Sequence, residues 1–429
     1  MTDLQLLSLW QAKLAAWLHD PPEKALTLAR TTEGHEGGTA ARLREFCLGS
    51  EEAPKESARV AKLADWWAAA SDRPQWPVAK EDKGFDKKIL FWSLNGATLI
   101  HPLGGDVYRL GDLYVATSGR IVRASSEKMQ GLLQDATEDL DFSAGRDVPE
   151  RDARLLAVPE EVLERADLPL ELGKEEAPTL EALRRAVLAL WRLGPVTDPE
   201  GLGLGEVWRL LPADSRVPDH SIWEHNALAS AMAGALAADG AENPALLLVS
   251  LGPVQGFIEQ ARTTSDLWAG SHLLSCLAWE AMRLVAEAYG PDAILFPSLW
   301  GVPLVDLWLE EQGLKLPGEK EDRRAPDWKH APTDSNPLFS PCLPNRFVAL
   351  VPASAAAELA GRIVEAVRTW AREQAHETAA ELCRLAGVEP TEDMRRQVEE
   401  QLADFPEVYW AAVPVKPLVD WDTGGGGKG

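Results

Sequence analysis

The sequence predicts an α+β chain in two parts: a mostly helical domain over residues 1–240 and a smaller α+β layer over residues 244–420, with a flexible tail at 421–429. Three observations predict it. Through the first part, apolar residues recur at helical spacing. After Pro244 the pattern changes to short apolar runs bounded by glycine and proline, which read as strands. Between those runs lie two long stretches that return to the helical period.

Taken in order, Leu6, Leu7, Trp10, Leu14, Trp17 and Leu18 form one helical stripe, and Val60, Leu63, Ala64 and Trp67 form a second. A glycine-rich loop, Glu33-Gly-His-Glu-Gly-Gly38, lies between them. Residues 98–110 are predicted to be a β-hairpin, because Leu103-Gly-Gly-Asp-Val107 supplies the turn residues. The stretch 143–178, rich in Glu, Asp, Arg and Pro, reads as a surface insertion. Helix returns over 180–191 and again after Pro218. Residues 245–250 are a buried strand, and Gly252-Pro253 turns the chain into a long helix whose apolar phase slips near Gly270, which predicts a break there. Residues 294–296 read as a second strand, 346–351 as a third and 354–385 as a second long helix. Strand, helix, two strands, helix is the order of a ferredoxin-like, palm-type layer.

A chain of 429 residues has room for two or three domains, and a 45% hydrophobic, 26% charged composition is that of a globular protein. No run of eighteen apolar residues occurs and the chain opens directly on a helical pattern, so neither a membrane span nor a signal peptide is expected. Cys47, Cys276, Cys342 and Cys383 lie far apart with no Cys-x-x-Cys, which excludes a zinc ribbon and points to a reducing cytoplasm. The net charge of −24 argues against non-specific nucleic-acid binding by the chain alone, because phosphate affinity depends on Lys and Arg. Any nucleic-acid contact then needs partner subunits or a local basic patch. Most of the 17 tryptophans are expected in the core.

The chemistry-bearing signal is His19-Asp20, at the end of an apolar helical turn and followed at once by Pro21-Pro22, with Lys24 four residues beyond the aspartate. Imidazole and carboxylate side by side suit a divalent metal that activates water. The prolines cannot continue the helix, so the dyad is held at a rim where substrate can reach it. A second cluster, Asp219-His-Ser-Ile-Trp-Glu-His225, precedes an alanine-rich helix. Ser221 with Glu224 fits a capping box, which starts the helix at Ser221 and sets His225 in its first turns. His225 reads as a ligand and His220 as a capping or surface residue. The small residues after Asn226 allow another helix to approach closely.

These residues carry a family resemblance. The segments 18–26, 64–73 and 217–225, then 250–258 with 265–271, and Leu343-Pro-Asn-Arg-Phe347, are similar in kind and order to the large signature subunit of type III CRISPR RNA-targeting complexes in its Cmr (III-B) form. The resemblance implies a circularly permuted HD phosphohydrolase domain followed by a first palm. It makes His225 the displaced first histidine, His19-Asp20 the central dyad, and Asp65 or Asp72 the last carboxylate, with the choice between those two left open. His35 reaches the same metal from its glycine loop in this reading, and Lys24 neutralises the phosphate. The implied cofactor is a divalent transition metal, manganese, nickel or cobalt ahead of magnesium. The implied activity is metal-dependent cleavage of single-stranded DNA. The alternative is a catalytically silent scaffold capping the guide-RNA complex. Implied partners are the other Cmr-type subunits, guide RNA and target RNA, with no membrane.

Full-length members also carry a second palm with a Gly-Gly-Asp-Asp signature that makes cyclic oligoadenylate from ATP, and a cysteine zinc site; neither is present in residues 1–429. Gly104-Gly-Asp106 lies before the first palm and lacks the second aspartate, so it reads as a hairpin turn. The first palm reads as non-catalytic, since no carboxylate stands on the 245–250 strand and no acidic pair follows Phe347. Gly252, at the strand-to-helix turn, and Arg346 are the candidate contacts for ATP at the palm interface of the intact family architecture. A tight turn needs glycine in any case.

Overall fold

The structure, a computed structural model, describes residues 2–22, 24, 39–48, 53–72, 98–109, 114–117, 120–123, 162, 164, 178–197, 206–214, 218–239, 243–316 and 336–415. It is mixed helix and sheet and divides into two compact units. One holds residues up to Ala237 together with Gln312–Leu316, and the other begins at Ala238. His35, most of the 143–178 stretch and the 421–429 tail lie outside the described residues.

In the first unit, α1 (Asp3–Trp17) starts on a capping box in which the Gln5 N–H donates to Thr2 Oγ1 and the Gln5 side chain accepts from the Thr2 N–H. It ends at Leu18, three residues before Pro21. The helix is buried continuously from Ala12 to Trp17 and packs against α3 (Lys55–Asp72) and α4 (Leu180–Leu193); α2 (Thr39–Leu48) lies between α1 and α3 in the chain. A short α5 (Glu206–Leu210) precedes α6 (Ile222–Ala238). The alanine-rich face of α6 meets α1 closely: a Cβ on Gly234 would stand 3.0 Å from Cγ and Cδ of the fully buried Lys13. The start of α6 is fixed by tryptophans. Trp208 Nε1 donates to the Gly194 carbonyl at 3.0 Å, and Trp223 Nε1 donates to the Trp208 carbonyl at 3.2 Å.

The predicted hairpin is present as β1 (Thr98–Ile100) and β2 (Val107–Arg109), antiparallel with Ile100 opposite Val107. Gly105 takes a φ of 69°, a conformation that favours glycine. His101 closes the turn, its Nδ1 accepting from the Gly104 N–H at 2.9 Å. Gly104-Gly-Asp106 is thus a turn. A second small hairpin follows, β3 (Tyr114–Thr117) with β4 (Arg120–Arg123).

The second unit is built on a four-stranded antiparallel sheet of β5 (Pro244–Gly252), β6 (Ile294–Phe296), β7 (Arg346–Pro352) and β8 (Glu407–Pro414), in the order β6-β7-β5-β8. After β5 come α7 (Val254–Ile258) and α8 (Thr264–Tyr289), α9 (Pro303–Glu311) follows β6, and α10 (Ala356–Ala386) and α11 (Glu392–Gln401) lie between β7 and β8. A helical crossover joins β5 to β6 and another joins β7 to β8, the connectivity of a split β-α-β layer. Alternation sorts the sheet. Leu247, Val249, Phe347 and Ala349 are buried, whereas Leu246, Leu248, Tyr409 and Val413 are exposed.

Two expectations are corrected here. The break in the long helix falls at 259–263, and Gly270 lies inside α8. Thr263 and Asp266 form a capping box that starts α8 afresh. The phase slip at Gly270 has another cause: this glycine faces α7, where a Cβ would stand 3.3 Å from Phe257 and 3.5 Å from Ile258. The sequence reading also stopped one strand short. β8 pairs with β5 along its length, from Ala245 opposite Pro414 to Gly252 opposite Glu407.

Candidate functional site

The first unit gathers His19, Asp20, Asp65 and His225 into one cluster. His19 and Asp20 follow the last turn of α1, where Pro21 and Pro22 bring no N–H to extend it. Asp65 stands in the third turn of α3, the helix packed on α1. His225 is placed by the predicted capping box: the Glu224 N–H donates to Ser221 Oγ at 3.2 Å and Glu224 Oε2 accepts from the Ser221 N–H at 3.1 Å. That box orients the first turn of α6 towards the end of α1.

The distances are short enough for His19, Asp20 and Asp65 to share an ion. His19 Nδ1 lies 3.4 Å from Asp20 Oδ1 and 3.9 Å from Asp65 Oδ1. His225 Nε2 lies 3.0 Å from Asp65 Oδ1 and 3.4 Å from Asp20 Oδ2. One oxygen of Asp65 therefore meets both imidazoles. Donor atoms around one first-row ion sit roughly 3–4.5 Å apart, since each is about 2.0–2.2 Å from it. His19, Asp20 and Asp65 each offer a ligand atom within 4.8 Å of the others, and His225 borders this trio through Asp65. Lys24 forms an ion pair with Asp20.

Burial sorts the roles. Asp20 and His225 are closed off, at 1% and 4% exposure, while His19 and Asp65 keep 20% and 17% and form the open side. Burial pushes the Asp65 carboxyl up, and Asp20 adds to that by repulsion. The hydrogen bond with His225 and the nearness of both imidazoles outweigh them, so Asp65 lies below the usual carboxylate value. Two observations fit a cation here. Among the described residues the buried Nδ1 of His19 has no hydrogen-bond partner and points at carboxylate oxygens. Two carboxylates also share a largely buried space, which like charges resist unless positive charge lies between them.

Asp72 is the last residue of α3, and its side chain lies outside the described residues, as does His35. Between the two carboxylates left open by the sequence, Asp65 is the one seen against His19 and His225. His220 is paired with Asp219 at 2.7 Å, and its ring stands 6.1 Å from that of His225. In the second unit Gly252 closes β5 opposite Glu407, and the exposed Arg346 opens β7 opposite Ser250. Glu407 was missed because β8 was missed; its Oε2 accepts from the Tyr409 hydroxyl at 2.7 Å. Asn226 was also missed: its Nδ2 donates to the Asp20 carbonyl at 3.2 Å. Its place beside His225 was the only signal the sequence held for it. Among the described residues, no helix is long and apolar enough to cross a membrane.

Residues 246–380 match the family described as CRISPR-associated protein Cmr2, N-terminal. The CRISPR system Cmr subunit Cmr2 of Pyrococcus furiosus is 28% identical over 306 residues, covering 68% of this chain and 31% of that protein. The CRISPR system CMR subunit Cmr2 of Saccharolobus solfataricus is 39% identical over 89 residues, 20% of this chain and 8% of that protein. The matches span less than a third of the length of either relative. A crystal structure of a Csm1-Csm4 cassette in complex with pppApApA aligns at a TM-score of 0.33 and 11% identity, covering 95% of this chain and 45% of that one. A score that low defines no shared fold. These sequence matches support a resemblance to Cmr2, the large subunit of type III-B CRISPR systems.

Proposed function

We propose that the helical unit is a permuted HD-type nuclease domain that cuts single-stranded DNA with a divalent metal. In this reading the chain is part of the large subunit of a type III-B guide-RNA effector complex in antiviral defence. The observation that carries the reading is the meeting of His19, Asp20 and Asp65 within 4.8 Å of one another, with His225 against both carboxylates, all from three separate parts of the chain. These four residues would hold the ion. Imidazole donors favour nickel or cobalt over magnesium, and the two carboxylates suit manganese. Such an ion, when bound, lowers the pKa of water and polarises a phosphodiester.

The chain's own residues do the rest. Without an ion, His225 Nε2 and Asp65 Oδ1 hold one another across the closed side of the cluster, a hydrogen bond that a bound ion would replace. The open side, formed by His19 and Asp65, is where a phosphodiester would approach. Lys24 holds an ammonium at the rim on Asp20, where it can turn to a phosphate oxygen. One observation favours a second reading, a silent scaffold: that same lysine meets the Asp20 carboxylate a cation would need.

The second unit is proposed as the first palm, a ferredoxin-like layer, and its strand order supports this. If ATP is held at a palm interface of the intact protein, Gly252 and Arg346 are the residues nearest the relevant strand ends. Other Cmr-type subunits, guide RNA and target RNA are proposed as partners, and they would supply the basic groove that a chain of net charge −24 lacks.

The test is cleavage of labelled single-stranded DNA by the purified chain, alone and assembled with its partners, in Mn²⁺, Ni²⁺, Co²⁺ and Mg²⁺. His19→Ala with Asp20→Ala is expected to abolish cleavage while leaving the circular dichroism spectrum and complex assembly unchanged. Cleavage by that double variant at the wild-type rate, with contaminating nuclease excluded, would sink the nuclease reading. A wild-type protein silent under every condition would favour the scaffold.

A further inference from the structure

The turn that carries His19 and Asp20 is tied to the helix that carries His225 by one buried side chain, Asn226. Its Nδ2 donates to the main-chain carbonyl of Asp20 at 3.2 Å, and the residue is 1% exposed. The sequence explains why a side chain serves there. Past the end of α1 the carbonyls have no intrahelical partner, and Pro21 and Pro22 bring no N–H. Arg44, from α2, acts similarly two residues earlier, its Nη1 donating to the Leu18 carbonyl at 3.3 Å. Asn226 differs in where it comes from. It is the residue next to His225, so its hydrogen bond sets the spacing between two parts of the cluster that are about two hundred positions apart in the chain.

A second observation separates this role from plain packing. Among the described residues the buried Oδ1 of Asn226 has no hydrogen-bond partner. A buried acceptor left unpaired is a cost that an apolar side chain of similar shape avoids. Packing alone therefore gives no reason for an amide at this position. The contact with Asp20 does.

We propose that Asn226 is a positioning residue: it holds the Asp20 carbonyl against the first turn of α6 so that His19 and Asp20 meet Asp65 and His225 as one ligand set. This rests on the metal-dependent reading above and deepens it. Partners that orient ligands without touching the ion typically change affinity by about 10–100-fold when removed.

The experiment uses the full chain and Mn²⁺ alone as the probe, followed by isothermal titration calorimetry well below the unfolding temperature of every variant. Asn226→Leu removes the donor without changing charge, and Asn226→Gln restores an amide. Leu183→Ala, in the core of α4, supplies loss of stability with every cluster residue intact. Asn226→Leu is expected to weaken Mn²⁺ binding by about 10-fold or more. Asn226→Gln should recover much of the loss, and Leu183→Ala should bind nearly as the wild type does. Wild-type affinity in Asn226→Leu, or a loss no larger than that of Leu183→Ala, overturns the proposal. Amide exchange without metal is the independent arm: residues 14–24 should exchange faster in Asn226→Leu than in wild type or Asn226→Gln. If the wild type takes up no Mn²⁺, the metal reading fails and the exchange arm decides the positioning role. Faster exchange then upholds the link, and unchanged exchange removes it.

Discussion

At the scale of single residues, the molecule separates side chains of the same type by environment. Burial pushes the Cys47 thiol up to about 12 and the Cys276 thiol up to about 11. Cys342 is raised too, but it is exposed. The thiolate is the reactive form, so both ionisation and access favour Cys342. Iodoacetamide at pH 8, read by peptide mass spectrometry, should modify Cys342 first and leave Cys47 unmodified until the protein is unfolded. Early labelling of Cys47 would mean that the α2 environment is far more open than described. The histidines sort in the same way. His101 closes a hairpin, His376 pairs with Glu399 on the surface at 2.7 Å, and His19 and His225 stand against shared carboxylates.

At the scale of elements, the cluster depends on how α6 begins. Ser221→Ala removes the acceptor for the Glu224 N–H, and losing such a cap typically costs about 1 kcal/mol. Urea unfolding should show that loss in the midpoint, with an unchanged slope. Gly194 tests the same helix start from outside. A Cβ there would lie 2.6 Å from Cζ3 of Trp223, two residues before His225. Gly194→Ala should therefore cost about 1–3 kcal/mol, the usual range for overpacking a buried site. Because the displaced ring belongs to the first turn of α6, its Mn²⁺ affinity should fall as well. A stable Gly194→Ala protein with full Mn²⁺ affinity would show that Trp223 can move without carrying His225.

At the scale of the whole chain, the sharpest expectation concerns ATP. Phosphoryl transfer between nucleotides needs carboxylates that fix metal ions between nucleophile and triphosphate. Among the described residues, Glu407 is the carboxylate paired opposite the end of β5, and it accepts a hydrogen bond from Tyr409. The complex assembled on residues 1–429, given ATP, Mg²⁺, guide and matched target RNA, should therefore yield no cyclic oligoadenylate by mass analysis. Product that disappears with Glu407→Gln would show that β8 completes a catalytic palm after all.

How much was legible in the sequence follows from how local each signal is. Capping boxes, hairpin turns and proline stops act over three or four residues, so Ser221–Glu224, the turn at Gly105 and the end of α1 could be read directly. The strands β5, β6 and β7 could be read from short apolar runs between breakers. β8 carries the same signal, Val408-Tyr-Trp-Ala-Ala-Val413 between Pro406 and Pro414, and was passed over. Only the structure shows its place, with Tyr409, Trp410 and Val413 exposed and the strand paired to β5. The break before α8 was misplaced because Gly270 disturbs the apolar phase for a reason that lies across space, in Phe257 and Ile258. The site divides along the same line. Its candidate ligands, His19, Asp20 and His225, stand in the sequence with their helix ends marked. Only the packing of α1, α3 and α6 brought Asp65 against both imidazoles and set Asn226 on the Asp20 carbonyl. A sequence specifies short-range hydrogen bonding and the period of its apolar residues. Which helix faces meet is decided by close packing over the whole core, as where Gly234 lets α6 down onto Lys13.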